Sequence, residues 1–400
     1  MMPLSTRTAL AALAVALAPG AAFAGSPEGS FIFENRLRYE TVDQDGFANE
    51  AEALTLRTRL GVEFPKVGDF QFLVEGENVT AFVEDYNSTV NGAVTYPVIA
   101  DPANLEINRA QVTWTGLADT EVVLGRQRIV LGNARFVGNV GFRQNEQTFD
   151  AVRVTTKAFK PMTLSYAYVG RVHRIFGRDS AQGEWNSDSH LFFADAKTPA
   201  GQLTGYGYLL DFSNAPTQSS ATWGARLSGA RPLGGEWQAT YALEYARQTD
   251  YGSTPLTFDL DYILAEAGAK KGPFAAALTF ERLDGDGARG FQTPLATLHI
   301  YQGWADVFLN TPAAGIRDLQ AQASWTIANP ALAHSLKFTA AWHDFTDADG
   351  SLSYGNEFDL AASATINPHW SAELKAASFD GDLPAFRDRT KLWLTLEYRF

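Results

Sequence analysis

The sequence predicts an all-β protein, a transmembrane antiparallel β-barrel of about 18 strands with short periplasmic turns and longer external loops. Three observations indicate this fold. The last ten residues, 391–400, alternate between apolar and polar side chains and end on Phe400, which is typical of a strand with two unlike faces. Short turn signals recur along the chain. No stretch after residue 24 approaches the roughly 20 apolar residues that a spanning helix requires.

The first element is a predicted secretory signal peptide, residues 1–24. Arg7 precedes an apolar run at 9–18, Pro19 and Gly20 interrupt it, and Ala22-Phe-Ala24 supplies a small-x-small cleavage site. We expect cleavage after Ala24, so that residues 25–400 form the exported chain. No linker or change in composition divides that chain, which predicts one domain.

Composition excludes several classes of protein. There is no Cys, so neither a disulfide framework nor a thiolate metal site can form. The 34 Gly and the 12% of aromatic residues suit many twisted strands with aromatic girdles. The net charge of −13 argues against a nucleic-acid partner. We expect no cofactor and no metal site.

Tight turns predict the number of strands. Eight candidate turns are rich in Pro, Gly, Asn and Asp, and they lie at 65–69, 116–119, 159–161, 198–201, 232–235, 270–273, 329–332 and 367–368. Eight hairpins give sixteen strands, and a first strand near 31–40 and a last strand at 390–400 bring the total to eighteen. The last strand must then pair with the first to close the ring.

The segments beside these turns repeat the two-residue alternation. In 54–64, for example, Leu54, Leu56 and Leu60 alternate with Thr55 and Arg57. A soluble β-sandwich could show the same pattern. The signal peptide, the strand number and the terminal Phe together favour the membrane barrel, which at 16–18 strands encloses an aqueous channel.

Arginines form the candidate pore lining. An Arg on the lipid face at mid-depth costs roughly 2–4 kcal/mol, so arginine side chains are expected to point inward. The predicted pore-lining, anion-binding residues are Arg36, Arg38, Arg57, Arg59, Arg109, Arg126, Arg128 and Arg153. Because Val122 and Leu124 share the face of Arg126 and Arg128, the direction of these two stays open. Two interpretations of the set also stay open: a guanidinium ladder that attracts carboxylates or phosphates, or charges paired with acidic residues of the lumen.

Two connections are longer than the rest. The segment 283–315 is mostly uncharged and aromatic between 291 and 308, and we expect it to fold into or over the lumen as a constriction or gate. The segment 87–104 is a second long external loop and a further candidate for a constriction or gate.

The run from Gly125 to Asp150, which begins Gly-Arg-Gln-Arg, resembles the alginate export porin family, as do the segments 315–321 and 355–359. This resemblance implies an eighteen-stranded barrel in the bacterial outer membrane with an arginine-rich constriction for an anionic polysaccharide. It also implies that Arg126 and Arg128 line the pore. The strand number obtained from the turns agrees with it.

The predicted function is a porin for diffusion of anionic solutes, with uronate-type oligo- or polysaccharides among the candidates. A general non-selective porin and a barrel hydrolase are the alternatives. The chain has six His but no Gly-x-Ser-x-Gly, His-Glu-x-x-His or P-loop spacing, so we expect no enzyme. Expected partners are small anionic solutes or an anionic polysaccharide, outer-membrane lipid and lipopolysaccharide, and the barrel-insertion machinery through Phe400.

Overall fold

The computed structural model describes residues 29–400; the predicted signal peptide lies outside this range. The chain forms eighteen antiparallel strands in one sheet. The strands are β1 (Ser30–Gln44), β2 (Ala51–Glu63), β3 (Phe70–Asp85), β4 (Asn104–Leu117), β5 (Thr120–Gln127), β6 (Thr148–Thr156), β7 (Met162–His173), β8 (Glu184–Thr198), β9 (Gly201–Leu210), β10 (Ser220–Gly234), β11 (Trp237–Thr249), β12 (Asp259–Lys271), β13 (Phe274–Leu283), β14 (Ile316–Ala328), β15 (Ser335–Thr346), β16 (Ser353–Thr365), β17 (Trp370–Gly381) and β18 (Arg389–Arg399). Short 3₁₀ turns occur at Pro216–Gln218 and Leu298–Ile300, and within 29–400 no helix is long and apolar enough to cross a membrane.

The sheet closes on itself. Each strand pairs with its neighbours in sequence, and β1 also pairs with β18, with Arg36 opposite Glu397 and Leu37 opposite Leu396. All eight predicted turns join paired strands, which confirms the predicted strand number. In the β10–β11 turn, Gly234 and Gly235 both have positive φ, of 103° and 56°, a backbone conformation that glycine adopts without steric cost.

The two faces of the strands differ as the alternation predicted. In β18, Leu392 and Leu394 are 39% and 45% exposed on the outer surface. Lys391 and Trp393, one residue away from them, are buried inside. Leucines that remain exposed in a closed ring form the apolar band that contacts lipid.

Two of the segments that connect strands fold into the lumen. Two segments that connect strands at the long-loop end of the barrel turn inward, residues 128–147 (inner loop A) and 284–315 (inner loop B). Phe136, Phe291, Leu295 and Phe308 of these loops are buried with inward-facing wall residues such as Tyr262 in one hydrophobic cluster. The half of the lumen near the long loops is therefore packed, and an unobstructed channel of full barrel width is absent from the described part of the chain.

Candidate functional site

Inner loops A and B form one unit. The backbone N–H of Gly138 donates to Leu295 O at 2.8 Å, and Val137 forms a parallel bridge with Leu295. The Gln147 amide donates to the carbonyls of Gly138 and Leu295 at 2.8 and 3.0 Å. Arg135 of loop A forms an ion pair with Glu281 of β13 at 2.7 Å. The loops therefore support each other across the lumen.

Inner loop B extends along the inner wall beyond its own strands. It leaves from β13 and returns to β14, yet the Ala305 N–H donates to Glu357 of β16 at 2.7 Å and the Trp304 N–H to Asp359 at 3.3 Å. Arg389 of β18 donates to the carbonyls of Ala305 and Asp306 at 3.0 and 2.8 Å. Loop B therefore lies inside the barrel against β16 and β18, and its role as a constriction or gate stays a prediction.

Asp306 is the main attachment point of loop B. Its carboxylate accepts bonds from Lys391 of β18 at 2.7 Å, from Arg143 of loop A at 2.9 Å and from His299 at 2.7 Å. Burial lowers the pKa of His299 to about 3, so its imidazole is neutral at physiological pH. Lys375 lies 2.7 Å from the other ring nitrogen of His299. Both ring nitrogens of His299 are therefore fixed, and the loop tip is held to β17 and β18.

Inner loop A lies over β1. Arg36 donates to Gly141 O at 2.8 Å, and Arg38 donates to Phe142 O at 2.7 Å. Arg38 also lies over the Phe142 ring, 4.3 Å from its centroid. These two predicted pore residues thus hold a loop in place, and both are buried.

Seven of the eight predicted arginines have carboxylate partners inside the barrel. The pairs are Arg36–Glu397, Arg38–Asp101, Arg57–Glu34, Arg59–Glu77, Arg109–Glu75, Arg128–Glu146 and Arg153–Glu121. Pairing cancels most of their field along the lumen. Of the two interpretations left open by the sequence, this geometry matches the paired charges.

The eighth arginine, Arg126, lies elsewhere. It shares a face of β5 with Leu124, which is 57% exposed toward lipid, whereas Val123 and Gln127 on the other face are buried. Its guanidinium donates to Asp150 at 2.9 Å. This position differs from the predicted pore lining, because strand alternation turns Arg126 outward near the long-loop end of the barrel. Arg128, beyond the strand end, turns inward instead.

A cavity of about 430 Å³ lies above the inner loops, on the long-loop side of the lumen (the outer cavity). Its lining includes six amide side chains and a wall of apolar and aromatic residues. Its charged residues are the cations Arg143, Arg174, Arg389 and Lys391 and the single carboxylate Asp306. Arg143 and Lys391 pair with Asp306 and also with Glu40 behind the lining, so the uncompensated positive charge of the outer cavity belongs to Arg174 and Arg389.

Two of these cations, Arg174 and Arg389, form no ion pair within residues 29–400 and donate only to backbone carbonyls. The Nε atom of each is buried without a hydrogen-bond partner. Arg174 lies over the Trp185 ring at 3.8 Å, and burial lowers its pKa to about 10, so it stays charged at neutral pH. The sequence pattern does not identify either residue, because both lie at or beyond strand ends, where the alternation does not predict the direction of a side chain.

The histidines and acids of the barrel form polar contacts without a metal-binding arrangement. His343 bonds Asp318 at 2.9 Å in the lumen, and His173 bonds Asp150, the partner of Arg126, at 2.9 Å on the outer face. In the described part of the chain, no group of three or more His, Cys, Asp or Glu could hold a metal ion.

A closed eighteen-stranded barrel with an apolar outer band and loops folded into its lumen is the architecture of transmembrane β-barrels of the bacterial outer membrane. The solved structures most similar to it include OccK9 (OpdG) of Pseudomonas aeruginosa, with a TM-score of 0.73 and 16% identity over 94% of this chain and 100% of that chain. Another is OccAB4 of Acinetobacter baumannii, with a TM-score of 0.72 and 13% identity over 93% of this chain and 98% of that one. A third is the outer membrane protein OpdK of Pseudomonas aeruginosa, with a TM-score of 0.70 and 16% identity over 93% and 98%.

These likenesses establish the fold. The barrel fold agrees with the predicted location in the bacterial outer membrane. No family model and no curated protein sequence matches the chain. The neighbours carry the names Occ and Opd, so they match the predicted outer-membrane barrel but not alginate export specifically.

Proposed function

We propose that this protein is an outer-membrane diffusion channel that favours anionic solutes. The observation that carries this proposal is the outer cavity, whose lining includes two arginines, Arg174 and Arg389, without an ion-pair partner among residues 29–400. A cleft lined by one sign of charge between low-dielectric walls raises the local concentration of oppositely charged solutes. A ring of Arg and Lys is also the lining expected of an anion pore.

The selectivity resides in the outer cavity rather than in the strand arginines. Arg174 and Arg389 have no carboxylate partner, so their guanidinium groups are available to a solute carboxylate or phosphate. The strand arginines, of which Arg57 is an example at 0% exposure, are already paired and covered. A solute therefore meets the uncompensated charge first, before the inner loops.

The size of the outer cavity favours small solutes. About 430 Å³ is within the usual range of small-molecule sites, which is roughly 300–1,000 Å³. Inner loops A and B close the lumen below it, so a polysaccharide could pass only if they move. A uronate or a short uronate oligosaccharide fits this arrangement better than a continuous alginate chain.

A general non-selective porin is the second candidate. The observation that favours it is the pairing of seven predicted arginines with acids, which leaves the wall of the lumen nearly neutral. The two candidates differ in one measurable quantity, the ratio of anion to cation permeability.

Reversal potentials in a potassium chloride gradient measure that ratio for single channels in a lipid bilayer. We expect the wild-type channel to prefer chloride, and Arg174→Ala to reduce the preference severalfold. Arg174 is the cleaner choice, because Arg389 also holds loop B and is better replaced by Gln. Arg178→Ala is the matched control, since Arg178 lies in the same loop and its side chain is 67% exposed.

A cation preference in the wild type would refute the proposal. An unchanged permeability ratio in both Arg174→Ala and Arg389→Gln would remove the outer cavity as its cause. Repeating the gradient with glucuronate and galacturonate salts tests the uronate assignment, which requires a higher permeability than that of neutral sugars of equal size.

A further inference from the structure

Two arginines on neighbouring strands face the membrane side of the barrel. Arg282 of β13 and Arg317 of β14 are direct cross-strand partners. The residues next to them, Glu281 and Asp318, are both 4% exposed and bond other groups inside the lumen. Because side chains alternate along a strand, both guanidinium groups lie on the outer surface.

Arg282 and Arg317 lie at the height of the outer boundary of the apolar band. Phe274 and Trp325 form the corresponding cross-strand pair at the short-turn end, with stacked rings 6.0 Å apart. Eight residues separate Phe274 from Arg282, about 27 Å along the strand at about 3.4 Å per residue. A strand tilt of about 40° reduces this to a height of about 20 Å, against an apolar band about 25 Å tall. The arginine pair therefore lies where lipid head groups begin.

The charges of this pair are only partly neutralised. Arg282 contacts Asp284 at 2.6 Å and Asp349 at 3.9 Å. Arg317 forms no side-chain ion pair or hydrogen bond with any residue in 29–400, although its guanidinium packs over Gly350, where an added Cβ would lie 2.2 Å from Nη1. Like charges directly opposite each other on adjacent strands are destabilising. An anion from outside the chain would remove that repulsion.

We propose that Arg282 and Arg317 bind a phosphate group of a membrane glycolipid of the lipopolysaccharide class. A guanidinium presents a planar fork of donors that matches phosphate oxygens, and a desolvated head-group boundary strengthens such bonds. The phosphate is borne by a lipid, because the Phe280–Leu319 pair directly below places acyl chains beside the same site.

The binding of fluorescent bisphosphorylated lipid A to the full-length barrel in detergent tests this inference. We expect Arg317→Ala and Arg282→Ala each to weaken binding about tenfold or more, as for the loss of a charge-assisted hydrogen bond. Arg247→Ala is the matched control, because Arg247 is also an outward arginine near the loop end, but its cross-strand partners are Trp223 and Asp261 rather than a second arginine. It should change the affinity less than twofold. Heat-dependent gel mobility confirms that each variant is folded.

Three outcomes would overturn the assignment. The first is that dephosphorylated lipid A binds the wild type as tightly as the bisphosphorylated form. The second is that the two variants retain wild-type affinity. The third is that inorganic phosphate alone at low millimolar concentration displaces the labelled lipid completely, which would make the site one for free phosphate. Because the site lies on the outer surface, its failure would leave the channel proposal untouched, and Arg317→Ala should not alter ion selectivity.

Discussion

Replacing Asp306 by Asn tests whether a single carboxylate holds inner loop B against the inner wall. Asparagine keeps the size of the side chain but removes the charge that Lys391, Arg143 and His299 share. The structure therefore predicts that the tip of loop B detaches from β18 more often, which widens the passage beneath the outer cavity.

The expected loss of attachment free energy depends on the carboxylate partners that Lys391 and Arg143 keep. Breaking a buried ion pair costs about 3–5 kcal/mol when the remaining charge is left alone. Here Lys391 keeps Glu40 at 3.3 Å, and Arg143 keeps Glu40 at 3.1 Å and Asp101 at 3.6 Å. We therefore expect a smaller loss of attachment free energy, about 1–3 kcal/mol, which raises the open fraction of loop B by about 5- to 150-fold.

Single-channel recording and limited proteolysis provide the assay. Asp306→Asn should show more frequent and longer high-conductance events, and protease should cut within 284–315 sooner than in the wild type. Asp179→Asn is the matched control, since its carboxylate is 83% exposed in an external loop. Deleting residues 286–312 sets the upper limit of conductance. If Asp306→Asn matched the wild type in both conductance and cleavage rate, the carboxylate would not be what retains the loop.

Three further predictions concern acid and assembly. Burial would raise the pKa of Glu146, but Arg59 and Arg128 exceed this effect and lower the pKa to about 2. The Glu146 carboxylate therefore stabilises the folded protein by about 3 kcal/mol above about pH 4.5, and this stabilisation is lost as the pH falls toward 2. His299 is neutral when folded, so the loop attachment weakens as the pH falls from about 6.5 toward 3, and current noise should rise steadily between pH 7 and pH 4. Noise independent of pH in this range would contradict the assignment of His299. Phe400→Ala should lower the amount of barrel assembled in cells while leaving the conductance of barrel refolded in detergent unchanged, and equal cellular amounts would refute a role in recognition by the insertion machinery.

The barrel was predictable because its determinants are local. Turn residues such as Pro232 to Gly235 require particular backbone angles, and the period of two follows from the geometry of a single strand. The seam between β1 and β18 then follows from closure alone, and its register confirms that Glu34, Arg36 and Arg38 stand opposite Arg399, Glu397 and Thr395.

The contents of the lumen were only partly predictable. The length and composition of 283–315 indicated an inward fold, but the ion pair of Arg135 with Glu281 joins residues 146 positions apart, and no local pattern encodes it. The outward position of Arg126 could have been predicted from its shared parity with Leu124. Arg174 could not, since it follows the last residue of β7 and its direction depends on how the external loop folds.

The ionic seam of the barrel has a consequence for the order of folding. Glu397 of β18 bonds Arg36 of β1 and Arg57 of β2, so these two guanidinium groups gain this carboxylate only when the ring closes. Before closure Arg57 still has Glu34, whereas Arg36 has no other ion-pair partner among the described residues. A shift of one residue would turn Glu397 toward lipid and leave Arg36 unmatched. The ion pairs of the β1–β18 seam therefore favour closure of the ring in the correct register.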